Sequence, residues 1–513
     1  MLRAAGSRGA MCMAGPPPTQ LSHFWLRKWK WAGVAAIQLT RLFSFDRNVL
    51  VMSLMERPMP SFALFDDVVV ARTAAATTGW TSFTNLQTVF DYARGQGRPL
   101  FFQPGTYDSS TTTILPSNGG GKPLLARAIP GSVTLRFNGE NIFLRIEGQS
   151  NVRFQGLVFD GQNRALTDYV AQRQALIAVG AASNGVVFED CSIVNSPGIG
   201  LYVTGLADVL IHTCNFSSHS IGIWSENAKI NALRNSLSSM ANNGIAIWRS
   251  SLTGDSSTVS GNLINGIETA AGGTGQNGNG VSVFRAIGVT ITDNKIFNTK
   301  YSAVRCNGGG QFVVSNNSIY NAREVAIFIE APGTGIDLHG AVIANNSLDT
   351  VGNGVNVANS GQFSDGTARS VIVEGNRISN VLNNPIPDSG YFPPSTIGNG
   401  ITIEQDCVIS GNIIENASRV GIQAGINTGA RDLVVTGNLV MNTPIGIGVS
   451  NDAVSGPGRS VVVSGNIVRG ASLGGIVPTV FTGTTLDRVG TAEFGNQLAT
   501  TAGSVTFGHN RYL

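Results

Sequence analysis

From about residue 150 to residue 480 the chain repeats itself, and that repeat constrains the fold more than any other feature. Each copy opens with a short strand of alternating apolar and polar residues. A polar residue, most often Asn, then stands two positions before an aliphatic one. After a loop comes Gly-Ile-x-Ile or a close variant. Residues 289–298 read VTITDNKIFN, and residues 312–321 read FVVSNNSIYN and lead to AIFI at 326–329. Further copies centre on Asn235, Asn262, Asn346, Asn376, Asn412, Asn438 and Asn466. Cys191 and Cys214 hold the same place in two earlier copies, and Leu157 marks one more.

From Cys191 onward the spacings are 23, 21, 27, 32, 23, 29, 30, 36, 26 and 28 residues. A floor of 21–23 with variable additions fits a coil of three short strands and three turns, whose extra residues leave through loops. A leucine-rich repeat would keep fixed Leu positions and a strict period. Helical repeats fail because the local period is two. The pattern therefore predicts an all-β chain: a right-handed, single-stranded parallel β-helix of about ten to twelve coils. Alternation puts Val289, Ile291 and their equivalents inside and their neighbours outside. Coils stack about 4.8 Å apart, so like side chains lie over one another. An Asn at the sharp turn is expected to take the left-handed backbone and bond its stacked neighbours, with the Gly before it in Gly411-Asn412, Gly437-Asn438 and Gly465-Asn466 serving the same turn.

Upstream, Leu86, Val89, Phe90 and Ala93 fall on one helical face, Gly95 or Gly97 can end the helix, and Leu100 to Phe102 begin a strand. Such a helix would cover the solenoid's open end, which otherwise shows unpaired strand edges. The stretch at 83–107, from Leu-Gln to Pro-Gly-Thr-Tyr, resembles the N-terminal cap of pectate-lyase-like β-helix proteins. The expected organisation is an N-terminal or targeting segment at 1–79, a cap and first coils at 80–150, repeats at 151–480 and a C-terminal coil at 481–513.

A narrower likeness follows. NNGIAIWRS at 242–250, GGTGQNGNG at 272–280, VSVFRA at 281–286, SAVR at 302–305, EVA at 324–326 and GAVIANN at 340–346 are similar to the twin-arginine-translocated repeat proteins. That resemblance spans roughly residues 80–480 and implies a β-helix exported by bacteria, periplasmic or extracellular, with no reaction attached. The chain departs from the family in having Arg27-Lys28, not an Arg-Arg pair, before its apolar run at 31–39. That run is too short to span a bilayer, so no integral membrane span is expected. It resembles a degenerate signal peptide; a misassigned translation start fits the same residues.

Charge narrows the partners. Residues 1–60 carry a net +6 and the remainder −3, so the repeat body is a poor match for nucleic acid. The five cysteines are too scattered for a disulfide framework or a zinc site. Cys191 and Cys214 should stack in neighbouring coils, where a disulfide is geometrically allowed and buried free thiols are the commoner outcome. His212 and His219 share a coil without metal-ligand company. No motif indicates a metal or other cofactor, calcium included. The Gly-rich segment at 272–280 lacks the Lys-Ser/Thr of a phosphate loop and reads as a loop leaving the solenoid.

Chemistry is expected where the Gly-Ile-x-Ile strands stack. Their outward second and fourth positions, and the strand-end fifth, form a stripe that includes Trp224, Glu226, Trp248, Arg249, Ser282, Phe284, Arg285, Arg305, Asn307, Phe328, Glu330, Asn356, Glu404 and Asp406. Aromatic rings suit sugar faces, and Arg forks onto carboxylates. Cross-strand aromatic and Arg–Glu pairs also stabilise a sheet with no ligand at all. As catalytic candidates we single out Arg249, Arg285, Arg305 and Glu330. As substrate-binding candidates we single out Trp224, Glu226, Trp248, Phe284, Asn307 and Glu404. A polysaccharide lyase would use the arginines to quench a uronate and supply the base. A glycoside hydrolase would pair Glu330 with Glu324 or Glu404. No polygalacturonase-like or epimerase-like signature stands in the coils. The insertion at 383–400, with four prolines, reads either as a wall of a cleft near Glu404 or, equally, as a surface loop with no role. The expected function is an exported solenoid that binds, and in one version cleaves, an extracellular polysaccharide. The alternative is a non-enzymatic envelope or surface repeat protein.

Overall fold

The computed structural model divides the chain into two units, residues 1–56 and 57–513. It describes residues 61–512 apart from 66–67, 73–80, 83–85, 116–121, 140–141, 165–172, 181–182, 271–276, 332–337, 360–369, 383–397, 426–430, 451–458, 483–484 and 489–504. The first unit, Cys12 and most of the proline-rich insertion thus lie outside the described residues.

The second unit is a right-handed parallel β-helix. Three strands per coil build three stacks, each hydrogen-bonded in register to the coil on either side. In the first stack fourteen strands follow one another from Leu124–Arg127 to Val505–Gly508. That exceeds the ten to twelve coils expected, because the cap region is already in register with the repeats: Val152 pairs Leu124 on one side and Val186 on the other. Inward positions follow the alternation read above. Val289 and Ile291 are buried, and their equivalents join one continuous core running from Leu86 to Ile476.

The turn between the first and second stacks is held by the asparagine column. Asn262 donates its backbone N–H and its Nδ2 to Asn294 Oδ1, at 3.0 and 2.9 Å, and Nδ2 also reaches Ala232 O at 2.9 Å. The same bonds recur from Asn235 to Asn466, and the column ends on Asn510. Upward, Cys214 donates its N–H to Asn235 Oδ1. The left-handed residue is the one before each ladder Asn, not the Asn itself: Arg234, Asp293, Asn316, Asn345 and Gly411 all have φ between 55° and 63°. The expectation that the ladder Asn takes this backbone is therefore corrected. The ladder Asn must aim its amide inward along the axis, so the corner is turned one residue earlier. All four described cysteines are buried free thiols, Cys191 and Cys214 among them.

Helix α1, Leu86–Gln96, buries Leu86, Val89, Phe90 and Ala93. Phe90 sets its ring 6.1 Å from Phe102 and 6.0 Å from Phe154, inside the first coils. Of the two candidate stop residues it is Gly97, at φ 68°, that ends the helix.

Candidate functional site

Insertions pick out one stack. From Ser150–Gln155 onward the first-to-second corner is tight: Val371–Glu374 leads to Arg377–Val381, and Arg431–Thr436 to Leu439–Met441. The long additions all sit at the ends of third-stack strands. They separate Leu157–Asp160 from Ala175–Gly180, Leu263–Ile267 from Val281–Ile287, and Arg377–Val381 from Asn399–Ile403 on the entry side. On the exit side they follow Val325–Glu330, Asn353–Ala358, Val420–Ala424 and Ile445–Ser450. Additions gathered on one face of a repeat array commonly mark its binding face.

The third stack presents two outward lines. The inner line, from the second position of each strand, pairs Tyr202, Trp224, Ala246, Ser282, Arg305, Phe328, Asn356 and Thr402 coil by coil. The outer line pairs Glu226, Trp248, Phe284, Asn307, Glu330 and Ala358, and Glu404 follows where its N–H meets Val357 O. Nine of the candidates thus stand on two adjacent lines or at their edge: Trp224 and Arg305 on the inner one, Glu226, Trp248, Phe284, Asn307, Glu330 and Glu404 on the outer one, and Arg285 at the corner beside Phe284.

One expectation is corrected. The inner line is not a solvent-facing stripe: Trp224, Ser282, Arg305 and Phe328 are buried, as is Asn307 on the outer line. The strands of this stack are covered on both faces, which is why they read as near-continuous apolar runs. Part of the cover is Arg173, whose guanidinium lies 4.3 Å from the Trp224 ring centre. On the outer line Trp248, Phe284, Glu330 and Glu404 keep partial exposure.

The upper half of the wall is aromatic. Ring centres step 5.9 Å from Tyr202 to Trp224, 4.9 Å to Trp248 and 6.0 Å to Phe284. Glu226 closes this half. It accepts from Arg173 Nε at 2.8 Å, Arg173 Nη2 at 3.0 Å and the Tyr202 hydroxyl at 2.6 Å. Those bonds from Arg173 hold its carboxyl below the usual range, despite partial burial. Arg173 and Tyr202 escaped the sequence reading. Arg173 stands 53 residues before Glu226, beyond an insertion, and no local pattern links them.

The lower half is polar. Arg305 Nε bonds Glu330 Oε1 at 2.7 Å, and Asn307 Nδ2 donates to the same oxygen at 2.6 Å. The Arg305 guanidinium lies 5.0 Å from the Phe328 ring centre. At the start of the Glu330 strand Glu324 is fully buried and accepts from Ser302 Oγ at 2.9 Å. Burial pushes the Glu324 carboxyl up, against the pull of Arg305 and with the help of Glu330. One coil therefore carries a buried carboxyl pushed up by desolvation and a second carboxyl paired with a guanidinium.

Arg249 and Arg285 are otherwise engaged. Arg249 turns off the wall into a buried pair with Asp255, Nε to Oδ2 2.6 Å, and donates to Ala228 O. Arg285 adopts φ 56° at the corner, donates to Ser250 O at 2.9 Å and lies 4.9 Å from the Phe284 ring centre. Asp406 pairs with Arg431.

Among the described residues, Ser282 Oγ, Asn307 Oδ1, Glu324 Oε1, Thr402 Oγ1 and the indole nitrogens of Trp224 and Trp248 are buried without a hydrogen-bond partner. Each such group costs about 1–3 kcal/mol, and six on one wall mark it out from the rest of the solenoid. Among the described residues no cluster of three or more His, Cys, Asp or Glu side chains is arranged to hold a metal ion, and no helix is long and apolar enough to cross a membrane.

The family model for the right-handed beta helix region matches residues 133–278. No curated protein matches the chain. Solved structures are similar in architecture. The Dettilon tailspike protein is 15% identical, with a TM-score of 0.43 over 72% of this chain and 66% of that one. The pre-mature gene product 12 of bacteriophage phi29 is 16% identical, with a TM-score of 0.48 over 78% of this chain and 53% of that one. A mannuronic-acid-specific family 6 polysaccharide lyase from the human gut microbiota is 15% identical, with a TM-score of 0.42 over 77% of this chain and 90% of that one. The chain thus spans about two thirds of the tailspike protein and about half of gene product 12. At these identities the likeness is one of fold.

Proposed function

We propose that the outer wall of the third stack is a polysaccharide-binding face and that the chain is an exported protein of the twin-arginine-translocated repeat type. The observation that carries the binding reading is the wall itself. An unbroken aromatic row from Tyr202 to Phe284 runs into a row of buried, unpartnered polar groups, on the one stack that the insertions flank. Aromatic faces pack on the C–H faces of sugar rings, and unpartnered hydroxyl, amide and indole groups suit a ligand rich in hydroxyls. The wall extends over seven coils from Glu226 to Glu404, about 29 Å at one coil per 4.8 Å, which suits a chain of sugars better than a single small molecule.

Cleavage rests on Glu330 with Glu324 on the same coil, or with Glu404 two coils away. The latter pair is about 9.6 Å apart at the backbone, near the upper end of the carboxyl separations of inverting glycosidases. The test is incubation of the full chain with neutral and acidic bacterial and plant polysaccharides, reading retention on immobilised glycan, absorbance of unsaturated uronates and release of reducing ends. Retention with release of reducing ends is the result expected of a hydrolase, and retention alone that of a binding protein. Failure of every polysaccharide to be retained, with no product in either channel, would sink the reading.

A further inference from the structure

We infer that the polysaccharide taken by this wall is neutral, not a uronate; the inference rests on the polysaccharide reading above and narrows it. A uronate needs a cation within reach on the surface that the ligand touches. The outer line carries Glu226, Glu330 and Glu404 and no Lys or Arg between them. The guanidiniums close by are committed. Arg173 holds both oxygens of Glu226, and Arg249 is buried against Asp255.

Arg305 decides the matter. Its side chain is 3% exposed and that of Glu330 is 12%, so the wall shows the carboxylate and keeps the guanidinium beneath it. A sugar carboxylate brought to Arg305 would have to displace Glu330 or lie against it, like charge on like charge at short range. Arg173 and Arg285 border the outer line; the first is held by Glu226, and the second donates to Ser250 O and lies against the Phe284 ring. A sugar hydroxyl meets no such obstacle. It donates to the Glu330 carboxylate, which keeps partial exposure, so the group that repels a uronate accepts from a hexose. β-Elimination, which needs a uronate, is thereby closed to this wall.

The experiment uses the full chain and equilibrium binding to dextran, galactomannan and xyloglucan against polygalacturonate and alginate, each from low salt to about 1 M. The expected result is binding to at least one neutral glycan that changes less than about twofold across the salt series. Glu330→Gln should weaken it about tenfold. Circular dichroism and a melting curve check that the variant folds, and Glu404→Gln serves in its place if it does not. Binding confined to the uronate polymers and lost with salt would overturn the inference while leaving the polysaccharide reading in place. Binding to none of the five probes, with the chain folded, would remove both.

Discussion

Arg305 and Glu330 stand on adjacent coils, and their 2.7 Å contact is a cross-strand pair set into the sheet with the cation lower than the anion. Removing one member leaves the other buried without its counter-charge, which typically costs 3–5 kcal/mol, whereas replacing both with apolar groups of similar volume is often neutral. Arg305→Leu should therefore lower the thermal midpoint markedly, by a loss of about 3 kcal/mol, and Arg305→Leu with Glu330→Leu should recover most of it. A double-mutant cycle read by thermal melting checks this. Additive losses would mean that the pair is not coupled.

Trp248 keeps partial exposure on the outer line while packing against Trp224 and Phe284. Trp248→Ala should lower the melting midpoint moderately and weaken binding to a retained glycan about tenfold or more, beyond what the stability loss accounts for, as loss of a stacking platform does. Affinity electrophoresis of variant and wild type gives the comparison.

Burial pushes the Glu324 carboxyl above its ordinary range. Its folded-state pKa is raised, so the unfolded chain ionises first. Its contribution is complete in acid and declines as pH rises above the ordinary Glu value toward the raised one. Glu324→Gln keeps an acceptor for Ser302 Oγ and cannot ionise. Its stability relative to wild type should grow from about pH 4.5 upward. Midpoints measured for both proteins between acid and neutral pH would show parallel curves if Glu324 titrated normally.

His219 runs the opposite way. It is buried, with Nε2 2.8 Å from Ile193 O and Nδ1 3.1 Å from Ser196 O. Two carbonyls favour the doubly protonated ring, yet desolvation outweighs them and the pKa is pushed down to about 4. A base with a depressed folded pKa stabilises above its unfolded value near 6.5 and loses that contribution as pH falls toward 4. The loss is about 3 kcal/mol. His219→Met, the residue found at the equivalent place one coil on, should flatten the acid limb. A midpoint that climbs between pH 6.5 and 4 would mean the carbonyls win.

Much of this architecture was legible because it is local. The alternation at 289–292, the Asn column and the apolar face of α1 are each written within about ten residues, and period and turn chemistry read them directly. What escaped was long-range or hidden by position. The outward second position of the Gly-Ile-x-Ile strands looks like a surface position, and only the folded chain shows Trp224 and Arg305 buried there. Arg249 reads as a stripe residue until Asp255, six residues on, claims it. The aromatic and charged residues could be placed on one face from sequence, but not which guanidinium each carboxylate would capture.

Asn317 shows how much one ladder residue carries. Its Oδ1 receives two N–H groups of Asn294, at 3.0 Å each, and its Nδ2 donates to Asn346 Oδ1 and Ile291 O. Asn317→Leu should strand the Asn294 donors and cost about 3 kcal/mol. Hydrogen exchange should show the loss centred on the neighbouring coils. Uniform exchange change along the solenoid would contradict it.

The asparagine column has a direction. Every ladder carboxamide from Asn235 to Asn466 donates one Nδ2–H to the Oδ1 of the next ladder Asn toward the C-terminus and its other to a backbone carbonyl of the preceding coil, so the side-chain amides follow one another head to tail along the axis. The solenoid is therefore polar in the electrical sense, and its two ends are not equivalent as templates. At the Asn510 end the last amide donates to Val463 O, while at the other end the backbone N–H of Cys214 closes the column on Asn235 Oδ1. A single apolar residue within the column therefore divides one continuous chain of amides into two.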